Sequence, residues 1–172
     1  TDLSGAFRNA SWGKSSPAAS DNDIVSLTTG YSTVMTDING SYQWNLWDEE
    51  KGYGVLEETP SLTDVNEDGS LTVTLKIHEG LKFSDNTEVK AANYIAGLVV
   101  NSTEVGVNAG GTGNSGQTVV GFKAFKEGAA SGTAFKGVKL LGDYEFSVTY
   151  TADYAGYYYT IINASFSPSP LA

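Results

Sequence analysis

The sequence predicts an α+β domain, mostly antiparallel β-structure with two or three short helices. Leu71, Val73, Leu75 and Ile77 alternate with Thr72, Thr74, Lys76 and His78, the period-two pattern of a half-buried strand. Ile95, Leu98, Val99 and Ser102 fall at i, i+3, i+4 and i+7, one face of a helix running from about Lys90 to Ser102. Val138 and Leu140 match Phe146, Val148 and Tyr150 across a Gly142-Asp143 turn, as a β-hairpin requires.

Composition narrows the class. A chain of 172 residues is long enough to bury a proper core in one domain without staples. Ten basic residues against twenty acidic ones give a net charge of -10, which repels nucleic acid and anionic lipid surfaces. Charged residues make up 17%, while Gly, Thr, Ser, Asn and Tyr are plentiful, a balance that suits a β-rich secreted or cell-surface domain. With no Cys, neither disulfides nor thiolate metal sites are available. No apolar run reaches the length of a membrane span. The first residue is Thr rather than Met, so a mature or shortened chain is expected, and any lipid-anchoring Cys would lie outside it.

In chain order, residues 1–20 are Ser-, Gly- and Ala-rich and read as an irregular N-terminal segment anchored by Trp12. Asp21-Asn22-Asp23 before Ile24, Val25 and Leu27 predicts a short capped helix ended by Gly30. Tyr31 to Asp37 reads as a strand, Asn39-Gly40 as a hairpin turn, and Tyr42, Trp44 and Leu46 as the return. Pro60 confines any strand in 55–65 to an edge, or starts it after the proline. After the central strand Glu79-Gly80 turns the chain, Leu81-Lys82-Phe83 starts a short return, and Asp85-Asn86 turns it again. Residues 106–117 read as a Gly-rich loop. Val119, Phe122 and Phe125 suggest a short helix stopped by Gly128, and 129–133 another loop.

The block Asp68-Gly69, Leu71 to Ile77, Gly80-Leu81-Lys82-Phe83, Asp85-Asn86-Thr87 and Ala91 resembles the signature of family 5 extracellular solute-binding proteins. These are the oligopeptide- and dipeptide-binding receptors of ABC importers, in which the block runs DG-strand, x-G-x-K-F-x-D-G-T-x-x-T-A-x-D. Asn86 stands where that family usually has Gly, and Asn can take the left-handed turn conformation. Lys90 stands where it usually has Thr and is a poor N-cap, so the helix start is weaker or lies elsewhere. The 137–149 hairpin is also similar to one in the family, as is Asp23-Ile24, Leu27 and 30–34 to a segment near its peptide cleft.

The resemblance implies a fragment of a larger two-lobe protein, similar to the insert subdomain of the first lobe. Both ends of that insert return to one place, so Ser15 and Pro168 are expected close together. It further implies a non-catalytic role: capture of an extended peptide and delivery to an ABC permease, by a monomeric extracellular lipoprotein that needs no cofactor or metal. Gly30, Tyr31 and Ser32, matching the segment nearest the cleft, are the expected ligand contacts. The rival readings are a secreted carbohydrate-binding module and a structural cell-surface domain. Exposed coplanar rings would favour the first, whereas the importer reading requires the helix at 90–102.

Other motifs have plainer readings. Asp64-Val-Asn66-Glu-Asp68-Gly69 matches half a calcium loop, but Leu75 stands at the twelfth position where a bidentate Glu is needed, so a hairpin turn is expected. His78, the only histidine, is expected at the surface. Glu49-Glu50 and Glu57-Glu58 point to opposite faces if extended and are read as solvated charge. The aromatic set Tyr154, Tyr157, Tyr158, Tyr159, Trp44 and Trp47 is expected to be core. The sequons at Asn9, Asn39, Asn101 and Asn163 match chance in so Asn/Ser/Thr-rich a chain.

Overall fold

The computed structural model describes residues 23, 24, 27, 30–108, 113–128, 131–157 and 159–171. The irregular segment 1–20, with Trp12, and the Ser15–Pro168 proximity therefore lie outside the described residues. Asp23, Ile24 and Leu27 are helical, as the opening pattern predicts.

The molecule is α+β. Its centre is the alternating strand β3 (Leu71–Lys76), which follows a small hairpin of β1 (Val34–Thr36) and β2 (Tyr42–Trp44). Leu71, Val73 and Leu75 are fully buried while Thr74 and Lys76 are exposed, so the period-two reading holds residue by residue. The chain then turns at Gly80 (φ 92°) and Asn86 (φ 69°), where Asn takes the left-handed conformation usually left to Gly. No return strand forms at 81–83; a single bridge between Lys82 and Glu88 closes the turn instead.

Helix α1 (Ala91–Val100) comes next, and Lys90 is indeed its cap residue. A lysine cannot accept the orphan N–H groups of a first turn. Others do so: the Asp143 carbonyl accepts the Ala91 N–H (2.8 Å), and Asn93 Oδ1 reaches back to the Lys90 N–H (2.7 Å). The Lys90 side chain is used differently, pairing with Asp143 at 2.7 Å and tying the helix start to the turn before β5. Ile95, Leu98 and Val99 are half-buried against the core, whereas Ala91 and Tyr94, one turn earlier, go deepest.

Of the predicted 106–117 loop, residues 106–108 end a short helix α2 (Glu104–Asn108). Helix α3 (Phe122–Gly128) forms where Phe122 and Phe125 predicted it, and Phe125 stacks on Phe135 with centroids 4.6 Å apart. Strands β4 (Val138–Leu140) and β5 (Glu145–Tyr150) make the predicted hairpin, Val138 opposite Val148 and Leu140 opposite Phe146. β5 also pairs with β3, giving an antiparallel sheet of order β3-β5-β4, with Val73 opposite Val148 and Leu75 opposite Phe146. As the middle strand, β5 buries Phe146, Ser147, Val148 and Tyr150.

Three expectations are modified. The strand read from Tyr31 to Asp37 is confined to Val34–Thr36, because Tyr31 has φ 61°, whereas the Asn39-Gly40 hairpin turn forms, Gly40 (φ 82°) donating its N–H to the Asp37 carbonyl. Segment 55–65 buries Val55 and Leu56 completely but contributes only isolated bridges, from Leu56 to Leu46 and Ile77 and from Val65 to Leu71. Tyr157 and Tyr159 are about half exposed rather than core, while Trp44 and Trp47 pack on it. After helix α4 (Thr160–Asn163) the chain leaves alongside β1.

Candidate functional site

The incoming and outgoing chains meet beside α1. Thr33, fully buried, is the pin. Its hydroxyl donates to the Ala164 carbonyl (2.7 Å) and accepts the Phe166 N–H (2.9 Å), while its own N–H donates to the Phe166 carbonyl (2.9 Å). Threonine suits this position because its β-branch stiffens χ1 and its hydroxyl both donates and accepts. Ser32 adds a hydroxyl contact to Ser165 at 3.2 Å, and its carbonyl accepts from Asn45 Nδ2 at 2.8 Å.

Two consecutive residues of α1 hold the two chain segments. Asn93 Nδ2 donates to the Ser169 carbonyl (3.0 Å) and the Asn93 carbonyl accepts the Ser169 N–H (2.9 Å). Tyr94 donates its hydroxyl to the Tyr31 carbonyl at 2.9 Å. Burial, with a smaller contribution from Tyr31, pushes the Tyr94 phenol well above its ordinary value, so it remains a neutral donor at neutral pH. Tyr150 is pushed up by burial in the same way and donates to the Asn163 carbonyl (2.8 Å).

Of the expected contact residues, Tyr31 and Ser32 sit directly on this junction. Gly30 is exposed, with nothing within 4 Å of where a side chain would begin. Tyr31 has φ 61°, a left-handed backbone rarely found in a bulky residue, and its ring is partly exposed. On the other side of Tyr94 lies a cleft of about 310 Å³, walled by Gly97, Leu98, Tyr150 and the 165–169 segment. All of its lining residues are uncharged, so it offers hydroxyls, amides and carbonyls over an apolar floor. Such a surface binds through hydrogen bonds and shape; it presents no acid–base pair.

Sequence reasoning missed Thr33, Asn93, Tyr94 and Phe166. One signal was available: Asn93 within a helical pattern is a poor helix former, which hints at another task.

The remaining motifs have structural roles. Asp68 accepts from the Ser70 N–H (3.0 Å) and hydroxyl (2.6 Å), which hold its carboxyl below the usual range, and Gly69 (φ 80°) completes a hairpin turn. Among the described residues no group of three potential metal ligands occurs. His78 is half-buried rather than fully at the surface: its ring stacks on Trp47 at 3.7 Å and its Nδ1 meets Glu57 at 2.6 Å. The exposed Tyr157 and Tyr159 are not coplanar, lying at 58°, and Tyr157 stands at 77° to the half-buried Tyr154. No helix among the described residues is long and apolar enough to cross a membrane.

No protein-family model matches the sequence, and no curated protein matches it. Solved structures do match in fold. Listeria monocytogenes OppA bound to peptide superposes with a TM-score of 0.64 at 16% identity, over 94% of this chain and 28% of that one. Haemophilus influenzae OppA in complex with RPPGFSPFR gives 0.59 at 16% identity over the same shares. The oligopeptide-binding protein AppA from Bacillus subtilis, in complex with a nonapeptide, gives 0.53 at 18% identity, over 93% and 25%. The chain thus has the fold of one part of these proteins and spans about a quarter of their length.

Proposed function

We propose that this chain is part of the first lobe of an extracellular substrate-binding protein that captures peptides and delivers them to an ABC permease. The observation that carries the reading is the fold shared with peptide-bound OppA over 94% of the chain. Helix α1, which this reading requires, supports it, and the tilted tyrosines argue against a sugar-stacking platform. In this proposal the protein has no catalytic role, uses no cofactor, works as a monomer and is anchored outside the cell as a lipoprotein. Gly30, Tyr31 and Ser32 face the ligand. Affinity comes from main-chain hydrogen bonds to an extended peptide enclosed between two lobes, so selectivity for side chains is loose.

The test compares two proteins titrated calorimetrically with the nonapeptide RPPGFSPFR: the full-length protein that carries this chain, and the 172-residue chain alone. The full-length protein binds, and the lone chain, lacking half of the enclosing surface, binds far more weakly or not at all. Nanomolar binding by the lone chain would refute the two-lobe account, and a full-length protein inert to this and other peptides would refute the peptide account.

A further inference from the structure

We propose that Tyr94 is a positioning residue for the ligand-facing segment 30–32, and that its hydroxyl holds Tyr31 in the left-handed backbone that presents this segment. The inference rests on the reading of 30–32 as ligand-facing and adds the device that shapes it. Tyr31 has φ 61°, and among the described residues Asn86 is the only other non-glycine with positive φ. Asn bonds to its own backbone and tolerates that region; an aromatic residue has no such compensation, so something else must hold it.

The neighbouring anchors identify what does. Ser32 and Thr33 are fixed immediately downstream by Asn45, Ser165, Ala164 and Phe166. Upstream, nothing among the described residues lies within 4 Å of where a Gly30 side chain would begin. The contact that decides the Tyr31 peptide is therefore the 2.9 Å bond from the Tyr94 hydroxyl to the Tyr31 carbonyl. The donor is itself rigid. Tyr94 is 1% exposed, sits in the first turn of α1, and stacks on Phe146 of the middle strand at 5.9 Å. A donor locked in the core can hold a strained peptide that a mobile surface group could not. The same turn of α1 holds Ser169 through Asn93, so the geometry of 30–32 is referred to the frame that fixes the outgoing chain.

Tyr94→Phe in the full-length protein removes the hydroxyl and keeps the ring, and two measurements follow it. Backbone carbon NMR shifts of Tyr31 report the sign of its φ whether or not a ligand binds. Titration with RPPGFSPFR reports affinity. We expect the Tyr31 shifts to leave the left-handed range and the affinity to fall roughly three- to tenfold, as for loss of one hydrogen bond. Adding Tyr31→Gly to Tyr94→Phe restores much of that affinity, because Gly takes positive φ without strain; a purely structural Tyr94 gives no such rescue. Unchanged Tyr31 shifts in Tyr94→Phe overturn the clamp. Shifts that move while affinity stays constant overturn the ligand-facing reading of 30–32, and the positioning role with it. Should Tyr94→Phe not fold, the wild-type Tyr94 hydroxyl proton decides by NMR: slow exchange with solvent supports the bond to the Tyr31 carbonyl, and exchange as fast as that of an exposed tyrosine overturns the clamp.

Discussion

Replacing Phe146 by Ala tests the core most directly. Phe146 is fully buried in the middle strand, opposite Leu75 on one side and Leu140 on the other. Its ring stacks on Tyr94 (5.9 Å, 17°) and meets Phe166 edge-on (5.7 Å, 78°). Removing it costs about 3–5 kcal/mol through lost transfer energy and the cavity left behind. Against a total stability of about 5–15 kcal/mol, that puts the variant close to unfolding at room temperature. Phe146→Leu, which keeps most of the volume, should lose far less. Urea denaturation followed by far-UV circular dichroism gives both values, with the slope m unchanged if the native fold persists. The Phe146–Phe166 contact is separable by a double-mutant cycle with Phe166→Ala. An edge-to-face pair should give a coupling of about 0.5–1.5 kcal/mol beyond area burial. A Phe146→Ala loss under about 1.5 kcal/mol, or a coupling of zero, would show that this ring does not join sheet, helix and outgoing segment as described.

Gly137→Ala would set a Cβ 2.6 Å from the Val120 carbonyl oxygen and 3.0 Å from that of Thr149, both backbone atoms that cannot swing away. A loss of about 1–3 kcal/mol in the same denaturation assay is expected. At Asn86 (φ 69°), Asn86→Gly should leave stability unchanged or raise it slightly, and Asn86→Val should lower it by about 1–2 kcal/mol; equal midpoints would contradict the left-handed turn. The buried phenols give an alkaline limit. Burial raises the folded-state values of Tyr94 and Tyr150, so their stabilisation is full below the unfolded value near pH 10 and is lost as pH rises above it. A thermal-melting series from pH 8 to 11.5 should fall from about pH 10, and Tyr150→Phe should flatten that fall.

The elements legible in the sequence are those whose faces differ in polarity. The alternation from Leu71 to Ile77 and the 138–150 hairpin are written in side chains that either meet solvent or do not, and periodicity reports that difference. Which strands distant in the chain pair is not written there. Thr72 and Thr149 touch across the sheet at 3.0 Å although 77 residues separate them, and nothing in either strand names the other. Helix α1 was legible, but its deepest large side chain was not. Tyr94 adjoins Ile95 on the helix, and only the sheet beneath shows which of them goes inward. The junction of 31–33 with 164–169 was least visible, because it is made of main-chain groups and small hydroxyls that any loop contains. His78 shows the same limit: its strand pattern places it on the polar face, and the ring of Trp47 covers it there.

Strand β5 is the mate of both other strands in its sheet, and it is also the last of the three in chain order. During synthesis β3 emerges with an unfilled edge and must wait for some seventy further residues before a ladder forms. The hairpin of β4 and β5 is local and can close in about 1–10 μs once it emerges, so it is the natural seed onto which the waiting strand zips. A ribosome stalled before residue 145 would therefore present a greasy, half-satisfied ribbon, the state in which a chaperone matters most to this protein.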